Sequence, residues 1–214
     1  MISHYPISKN NPIVLASISA RRKAILKQIG IPFESSGSMI EESHHEGMQP
    51  ADIACQMAKL KAESVKHVYK GRWILGADTI VVINRRIFGK PEDSRECHDM
   101  LLCLSGKNHR VITGFCIFYP GGKQAHLEAV ITKVKIKEIS ESEIEAYIKT
   151  GEPFGKAGGY AIQGIGSFMV EYINGSYTNV VGLPVCEVVS ALVKCGGLKE
   201  FPLNSHSALL FQRG

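Results

Sequence analysis

The stretch Trp73-Ile74-Leu75-Gly76-Ala77-Asp78-Thr79-Ile80-Val81-Val82-Ile83 decides the fold of this chain. Its apolar and β-branched residues predict a buried strand. Asp78 interrupts the run, and burying an unpaired carboxylate is costly. Asp78 is therefore expected to meet a cation, a metal or a set of hydrogen-bond donors, unless it is a strand-end residue that caps the next turn.

Strands and helices alternate on both sides of this stretch. Residues 13–16 predict a short buried strand, and a helix is predicted from Pro50 to about residue 69. Residues 109–119 and 124–137 predict two long strands of an antiparallel hairpin, and residues 184–194 predict a last helix. The alternation predicts an α/β fold with a mixed, twisted central sheet flanked by helices.

The domain organisation is predicted to be simple, because no linker, repeat or low-complexity tract divides the chain. We expect one domain over residues 13–197, preceded by a lead-in of residues 1–12 and followed by a tail of residues 198–214 without periodicity. The length of 214 residues and the hydrophobic content of 44% suit one large α/β domain.

Composition and charge exclude several classes of protein. No apolar run approaches the roughly 20 residues that a bilayer span needs, and the N-terminus lacks a basic region followed by an apolar one. We therefore expect a cytoplasmic protein with no membrane partner. The net charge of +5 suits a polyanionic ligand. The basic residues form no run with interleaved aromatics, so no nucleic-acid polymer is expected as a partner.

A turn with two serines and two arginines follows the first predicted strand. Ser17 and Ser19 are natural N-caps for the helix that begins here, and Arg21 and Arg22 lie in its first turn. Helix N-termini attract anions, and arginines at that end oppose the helix dipole unless an anion binds. This pattern favours a phosphate site at Ser17, Ser19 and Arg22 over a solvated basic turn.

Two lysines and a second acid complete the candidate set. Lys61 flanks the apolar stripe of the helix that starts at Pro50, so it either points toward the protein or extends along the edge of the core. Lys90 precedes Pro91, which disfavours a helical conformation there, and Glu42 ends an extended segment. Cations that neutralise phosphoryl oxygens, with carboxylates that hold a divalent metal and direct a water, are the groups that phosphoanhydride cleavage requires.

Common nucleotide-binding motifs are missing from the sequence. Gly-Lys occurs before Pro91, Asn108 and Ala157, so none of these pairs completes a Walker A loop. The glycine-rich residues 155–166 lead into a predicted strand rather than opening a helix, which argues against dinucleotide binding.

Taken together, seven ordered motifs closely resemble the Maf family of nucleotide pyrophosphatases, also called septum formation inhibitor Maf proteins. The resemblance extends from about Ile13 to Gly197. The motifs are Leu15-Ala16-Ser17-Ile18-Ser19-Ala20-Arg21-Arg22, Ala58-Lys59-Leu60-Lys61-Ala62, Leu75-Gly76-Ala77-Asp78-Thr79, Gly89-Lys90-Pro91, Leu104-Ser105-Gly106, Gly151-Glu152-Pro153 through Gly164, and Gly175-Ser176-Tyr177 through Pro184.

The resemblance implies a fold like that of the inosine triphosphatase family and a divalent cofactor, Mg²⁺ or Mn²⁺. It implies an enzyme that cleaves the α–β phosphoanhydride of nucleoside triphosphates in a house-cleaning role. By the match, Asp78 activates water or holds the metal, Glu42 assists it, and Lys61 and Lys90 neutralise phosphate charge. The match also implies that the triphosphate is cradled by Ser17, Ser19 and Arg22.

Three positions separate the branches of the family. The branch that acts on dTTP and UTP carries Arg, Thr and Gln, and this chain has Arg21, Thr79 and Gln163. The branch that acts on 7-methyl-GTP carries Trp, Gln and Glu at these positions. A guanidinium and a side-chain amide can pair with the carbonyl and imide edge of uracil or thymine, whereas a carboxylate suits the donor-rich edge of guanine.

Two rival functions stay open at the level of sequence. One is a pyrophosphatase for 7-methyl-GTP or inosine triphosphate, which Gln163 disfavours. The other is a regulatory nucleotide-binding protein of cell division without required turnover, which leaves the two acids and two lysines unexplained. The resemblance also implies a homodimer, although the sequence shows no clear interface stripe.

Overall fold

The computed structural model describes residues 5–38, 40 and 47–203. Glu42, one of the two predicted acids, lies outside the described residues. Every helix within the described ranges is too short or too polar to cross a bilayer.

A seven-stranded mixed sheet forms the centre of the molecule, with strands in the order β2-β1-β3-β5-β6-β7 and β4 paired with β3. Strands β1 and β2 run parallel to each other, β1 also runs parallel to β3, and the remaining pairs are antiparallel. The predicted mixed sheet is confirmed. The strands are β1 (Ile13–Leu15), β2 (Phe33–Ser35), β3 (Ile74–Ile83), β4 (Arg86–Phe88), β5 (Asn108–Phe118), β6 (Gln124–Ile136) and β7 (Val170–Asn174).

Helices flank the sheet, and local caps start most of them. Ser19, Asp93 and Ser140 each accept a hydrogen bond from a first-turn backbone N–H of the helix that follows, as expected for N-cap residues. The helices are α1 (Ala20–Gln28), α2 (Pro50–Val65), α3 (Ser94–Leu104), α4 (Glu141–Lys149), α5 (Tyr177–Val181) and α6 (Val185–Lys194).

Helix α2 lies directly against the backbone of the two central strands. A Cβ atom added to Gly76 of β3 would lie 2.1 Å from the carbonyl oxygen of Ala58, and one added to Gly114 of β5 would lie 2.2 Å from the backbone of Ala54. Only glycine allows this approach. The close contact fixes the position of Lys61, one turn beyond Ala58, relative to β3.

Strand β3 has an open edge in its middle. On that side, β1 pairs with Ile74 and Leu75, whereas β4 pairs with Val81 to Ile83. Residues 76–80 pair with β5 on the other side and lie beside a gap between the end of β1 and β4. A crevice beyond the carboxyl end of a parallel strand is a common ligand site in α/β proteins. The anomalous Asp78 of β3 faces this gap.

The structure differs from the sequence prediction in three segments. Helix α2 ends at Val65 rather than near residue 69, since Val68 is 77% exposed and offers no core contact that would extend it. Residues 165–169 form a 3₁₀ turn, and the strand predicted from Ser167 starts at Val170. The polar residues 174–179 predict a loop, whereas residues 177–181 form α5 because Ser176 caps them.

Both flanks of the predicted domain contribute to its core. Ile7 and Leu198 are buried, and both belong to the cluster that contains β1 and α6 residues. The backbone N–H of Ile7 donates to the carbonyl of Gly197 at 2.8 Å. The lead-in and the first residues after Gly197 therefore pack on the same core as residues 13–197.

Candidate active site

A cavity of about 430 Å³ occupies the gap beside β3 and brings together residues from distant parts of the chain. Its lining includes the predicted charged residues Arg21, Arg22, Lys61, Asp78 and Lys90. It also includes the predicted polar residues Ser17, Ser19, Thr79 and Gln163. Every predicted site residue that the structure describes therefore lines one cavity.

Asp78 meets a cation, as the buried position of a carboxylate requires. The Lys61 ammonium group donates to Oδ1 of Asp78, and the two side chains are 13% and 9% exposed. The pair joins α2 to β3 across the contact made by Gly76. The side chain of Lys61 therefore points toward the protein rather than along the edge of the core.

The start of α1 closes one side of the cavity. The chain leaves β1 at Leu15, and the Ser17 hydroxyl accepts a hydrogen bond from the backbone N–H of Ser19 at 3.3 Å. Ser19 caps the helix by accepting from the backbone N–H of Arg22. The N-terminal turn of a helix thus faces the cavity, where its N–H groups and dipole favour an anion.

Arg22 is buried against three neutral oxygen atoms. Its guanidinium donates to the Gly182 carbonyl at 2.8 Å, to the Ser17 hydroxyl at 3.2 Å and to the Thr79 hydroxyl at 2.9 Å. No carboxylate of a described residue forms an ion pair with it, and burial, as the largest effect, lowers its pKa. A guanidinium has five N–H donors, so two remain for a ligand. A buried cation with neutral partners favours an anion at this position.

Thr79 points its hydroxyl group toward Arg22 and the interior. Besides accepting from Arg22, Thr79 Oγ1 lies 2.9 Å from the Thr113 hydroxyl and 3.4 Å from the Gly182 carbonyl. Thr113 is fully buried and also donates to the Asn179 carbonyl. The sequence predicts that Thr79 contributes to base selection, and in the structure its hydroxyl accepts a hydrogen bond from Arg22 at the cavity.

Lys156 is a cavity residue that the sequence reasoning missed. It follows Gly155 in a Gly-Lys pair that was considered only as a Walker A fragment. Its ammonium group donates to the Glu152 carbonyl, and its pKa is lowered by burial first and by nearby Arg21 second. Burial also lowers the pKa of Arg21, which donates to the Gly155 carbonyl at 3.3 Å. The position of Lys156 within a glycine-rich segment is the feature of the sequence that could have indicated its role.

The cavity carries a strong positive charge. Among its described lining residues, five are cations and Asp78 is the one carboxylate. The cations come from α1, α2, the connection after β4 and the glycine-rich segment. An arrangement with this excess suits a ligand with several negative charges, such as a triphosphate.

The oxygen atoms of the cavity suit a divalent metal that is bound partly by the protein and partly by substrate phosphates. Within the described residues, no three His, Cys, Asp or Glu side chains lie close enough together to hold a metal ion alone. Mg²⁺ usually takes one or two carboxylates and completes its shell with water and substrate phosphates. Asp78 provides an oxygen ligand in the cavity, which matches this mode of binding rather than an all-protein cage.

Comparisons with known proteins identify the family of this chain. The family model described as "Maf-like protein" matches residues 12–195. A protein named "dTTP/UTP pyrophosphatase" from Syntrophotalea carbinolica is 45% identical over 94% of this chain and 94% of its own. Another of that name from Citrifermentans bemidjiense is 48% identical over 89% of this chain and 98% of its own.

Among solved structures, a nucleoside-triphosphatase (dITP/XTP pyrophosphatase) from Mycobacterium abscessus matches with a TM-score of 0.38 and 19% identity, over 60% of this chain and 75% of that chain. The family model covers most of the sequence, and the two relatives match over nearly their whole length. This chain belongs to the Maf-like protein family.

Proposed function

We propose that this protein is a nucleoside triphosphate pyrophosphatase that hydrolyses dTTP and UTP to the nucleoside monophosphate and pyrophosphate. The observation that carries the proposal is the Asp78–Lys61 pair in a cavity that five cations line. The names of the relatives and the presence of Arg21, Thr79 and Gln163 support the choice of pyrimidine nucleotides.

The triphosphate binds between the start of α1 and the lysines on the opposite wall. Backbone N–H groups and hydroxyls at Ser17 and Ser19 approach the phosphoryl oxygens, and Arg22 donates its remaining N–H groups. Lys90 and Lys156 neutralise charge from the other side. Because Arg22 is already fixed by three hydrogen bonds, little reorganisation is needed when the substrate binds.

Hydrolysis requires a water that attacks the α-phosphorus. Asp78 accepts the proton of this water as the new P–O bond forms, and the bond from the α-phosphorus to the bridging oxygen breaks. Pyrophosphate leaves with the electron pair of that bond, and Lys61 and Lys90 stabilise the charge that develops on the phosphoryl oxygens. Lys61 contacts the Asp78 carboxylate, so the proposed base and a cation lie side by side in the cavity.

A divalent cation, Mg²⁺ or Mn²⁺, would be held by Asp78 together with substrate phosphates and, in this proposal, by Glu42. It would supply Lewis-acid stabilisation of phosphoryl charge. Base selection is assigned to Arg21, Thr79 and Gln163. The donors and acceptor of Arg21 and Gln163 suit the carbonyl and imide edge of uracil or thymine.

A nucleotide panel tests the proposal. Pyrophosphate release should be measured with dTTP, UTP, CTP, GTP, inosine triphosphate and 7-methyl-GTP, each with Mg²⁺ and with Mn²⁺. We expect dTTP and UTP to be hydrolysed fastest. Orthophosphate as the product, or no turnover of any pyrimidine nucleotide, would contradict the proposal, and tight binding without metal-dependent hydrolysis would favour the regulatory alternative.

The cellular setting of the enzyme is a separate proposal. We propose a cytoplasmic protein that forms a homodimer, as the family resemblance implies. Light scattering at micromolar concentration measures its mass, and a monomeric value would contradict the dimer.

A further inference from the structure

The glycine-rich segment, residues 155–166, forms the wall of the cavity that carries Lys156 and Gln163. Much of it has no regular secondary structure, and Gly155, Gly158, Gly159 and Gly164 have positive φ angles. A backbone of this kind is intrinsically adaptable, because glycine loses more conformational entropy on ordering than other residues. Its position in the cavity therefore depends on contacts from outside the segment.

Glu152 supplies those contacts at the far end of the segment. One carboxylate oxygen accepts the backbone N–H of Ile165 at 2.9 Å, and the other accepts the backbone N–H of Gly166 at 2.8 Å. The second oxygen also accepts the Tyr147 hydroxyl at 3.0 Å. Both oxygens are thus used, and charge-assisted hydrogen bonds of this type are stronger than neutral ones. We call this group, Glu152 with Tyr147, the carboxylate clamp.

The clamp lies tightly against the backbone that it holds. A Cβ atom added to Gly164 would lie 2.5 Å from the Glu152 carboxylate, and one added to Gly166 would lie 2.5 Å from the Tyr147 hydroxyl. Tyr147 is 2% exposed and projects from α4, so the clamp is anchored in the core. Gln163 lies two residues before Ile165, the first of the two residues that are held.

The near end of the segment is attached separately. The backbone N–H of Gly158 donates to the Gly89 carbonyl at 2.9 Å, beside Lys90, and Arg21 contacts the Gly155 carbonyl. These bonds hold the end of the segment that carries Lys156. The clamp therefore acts on the other end, which carries Gln163, one of the residues assigned to the base.

We propose that Glu152 is a positioning residue that sets nucleobase selectivity by holding the backbone beside Gln163. This inference rests on the proposed function. The side chain of Glu152 is not part of the cavity lining, so it acts through Gln163 rather than on the nucleotide. A side-chain amide discriminates between bases only while its donor and acceptor stay in a fixed orientation.

The test uses UTP and CTP, which share sugar, phosphates and ring and differ at the edge that an amide reads. The variant is Glu152→Gln. Its amide NH₂ group must face one of the two backbone N–H groups, of Ile165 or Gly166, so one of these two hydrogen bonds is lost. Tyr147→Phe removes only the hydroxyl and serves as a milder second variant. Glu145→Gln is the matched control, since Glu145 is exposed on the same helix as Tyr147.

We expect Glu152→Gln to lower the ratio of kcat/KM for UTP to that for CTP by about tenfold, the loss expected for one charged hydrogen bond. Tyr147→Phe should lower this ratio less, and Glu145→Gln should leave it unchanged. Hydrogen exchange of the Ile165 and Gly166 amides should become faster in Glu152→Gln, and this readout does not require turnover.

The outcomes separate the two proposals. A wild-type protein that releases no pyrophosphate refutes the proposed function, whereas the exchange measurement still tests the clamp. Equal losses for UTP and CTP, or a wild-type enzyme that does not distinguish them, overturn the inference about selectivity. If Glu152→Gln does not fold, an unchanged ratio in Tyr147→Phe has the same consequence.

Discussion

The two walls of the cavity are held in place by different physical means. The catalytic wall, Asp78 and Lys61, lies on a strand and a helix whose backbones touch at Gly76. The base wall, residues 155–166, is held by a few hydrogen bonds, among them those of Glu152 and the backbone bond from Gly158 to Gly89. Chemistry that depends on accurate placement of charge is thus built on packed regular elements, whereas recognition of the base is built on an adjustable segment.

The catalytic wall should show the largest effect. Asp78→Asn removes both the charge and the basicity of the group that accepts the proton, so kcat should fall by about 10²-fold or more. Pyrophosphate release from UTP measures this. Asp99→Asn, at an exposed position on α3, is the control. Retained activity in Asp78→Asn would place the base elsewhere.

Disturbing the packing under the catalytic wall should have the next largest effect. In Gly76→Ala the new Cβ would meet the Ala58 carbonyl, so α2 must shift and the free energy of unfolding should fall by about 1–3 kcal/mol. Activity should fall as well, because Lys61 moves with α2. Gly37→Ala is the control, since its Cβ would meet only the side chain of Ile18. Denaturant unfolding and UTP turnover are the measurements, and equal stability of both variants would contradict the assigned contact.

A substitution in the base wall should change KM for the nucleotide more than kcat. Lys156→Ala removes a cation from the cavity, so KM for UTP should rise by about tenfold while kcat changes less. Lys149→Ala, exposed on α4, tests for a general effect of lost charge. A fall in kcat with unchanged KM would instead assign Lys156 to the transition state.

The smallest effect is expected on the free energy of unfolding at acidic pH, and it concerns His109, which contacts Tyr160 of the base wall. His109 lies 2.7 Å from the hydroxyl of Tyr160, which lines the cavity, and burial lowers the pKa of His109 from 6.5 to about 4. The unfolded chain therefore binds a proton at His109 before the folded chain does. Stability attributable to His109 is complete above pH 6.5 and is lost as the pH falls toward 4.

The variant His109→Gln isolates this contribution to stability. Its free energy of unfolding should fall less between pH 7 and pH 4 than that of the wild type, and chemical denaturation over this range is the measurement. Parallel curves for the two proteins would show that another group controls acid stability.

Much of the fold was predictable because its signals are local. The run around Asp78, the capping box at Ser140 and the cap at Asp93 each specify a strand or a helix start through neighbouring residues. Helix α5 was missed although Ser176 caps it, because its five residues are too few to show periodicity. The 3₁₀ turn at Ile165 was missed because the Glu152 carboxylate, 13 residues earlier, takes its N–H group.

Most of the candidate site was named from residue types, motifs and the family resemblance, whereas its contacts were not. The sequence left the direction of the Lys61 side chain open, and the structure shows that it contacts Asp78. Two of the three partners of Arg22, Thr79 and Gly182, lie 57 and 160 residues away, so no local pattern indicates them. Lys156 and Glu152 were left without roles, because the first acts from an irregular segment and the second acts through backbone atoms.

The sequence by itself determined the strands and most helices, the family, and a set of acids and cations suited to a triphosphate, because capping, periodicity and motif order are local properties. The tertiary structure alone decided that β1 and β4 leave an open edge on β3, that α2 approaches β3 at Gly76, and that Glu152 holds the backbone of Ile165 and Gly166. These features depend on strand pairing and packing between distant segments, which no short stretch of residues specifies.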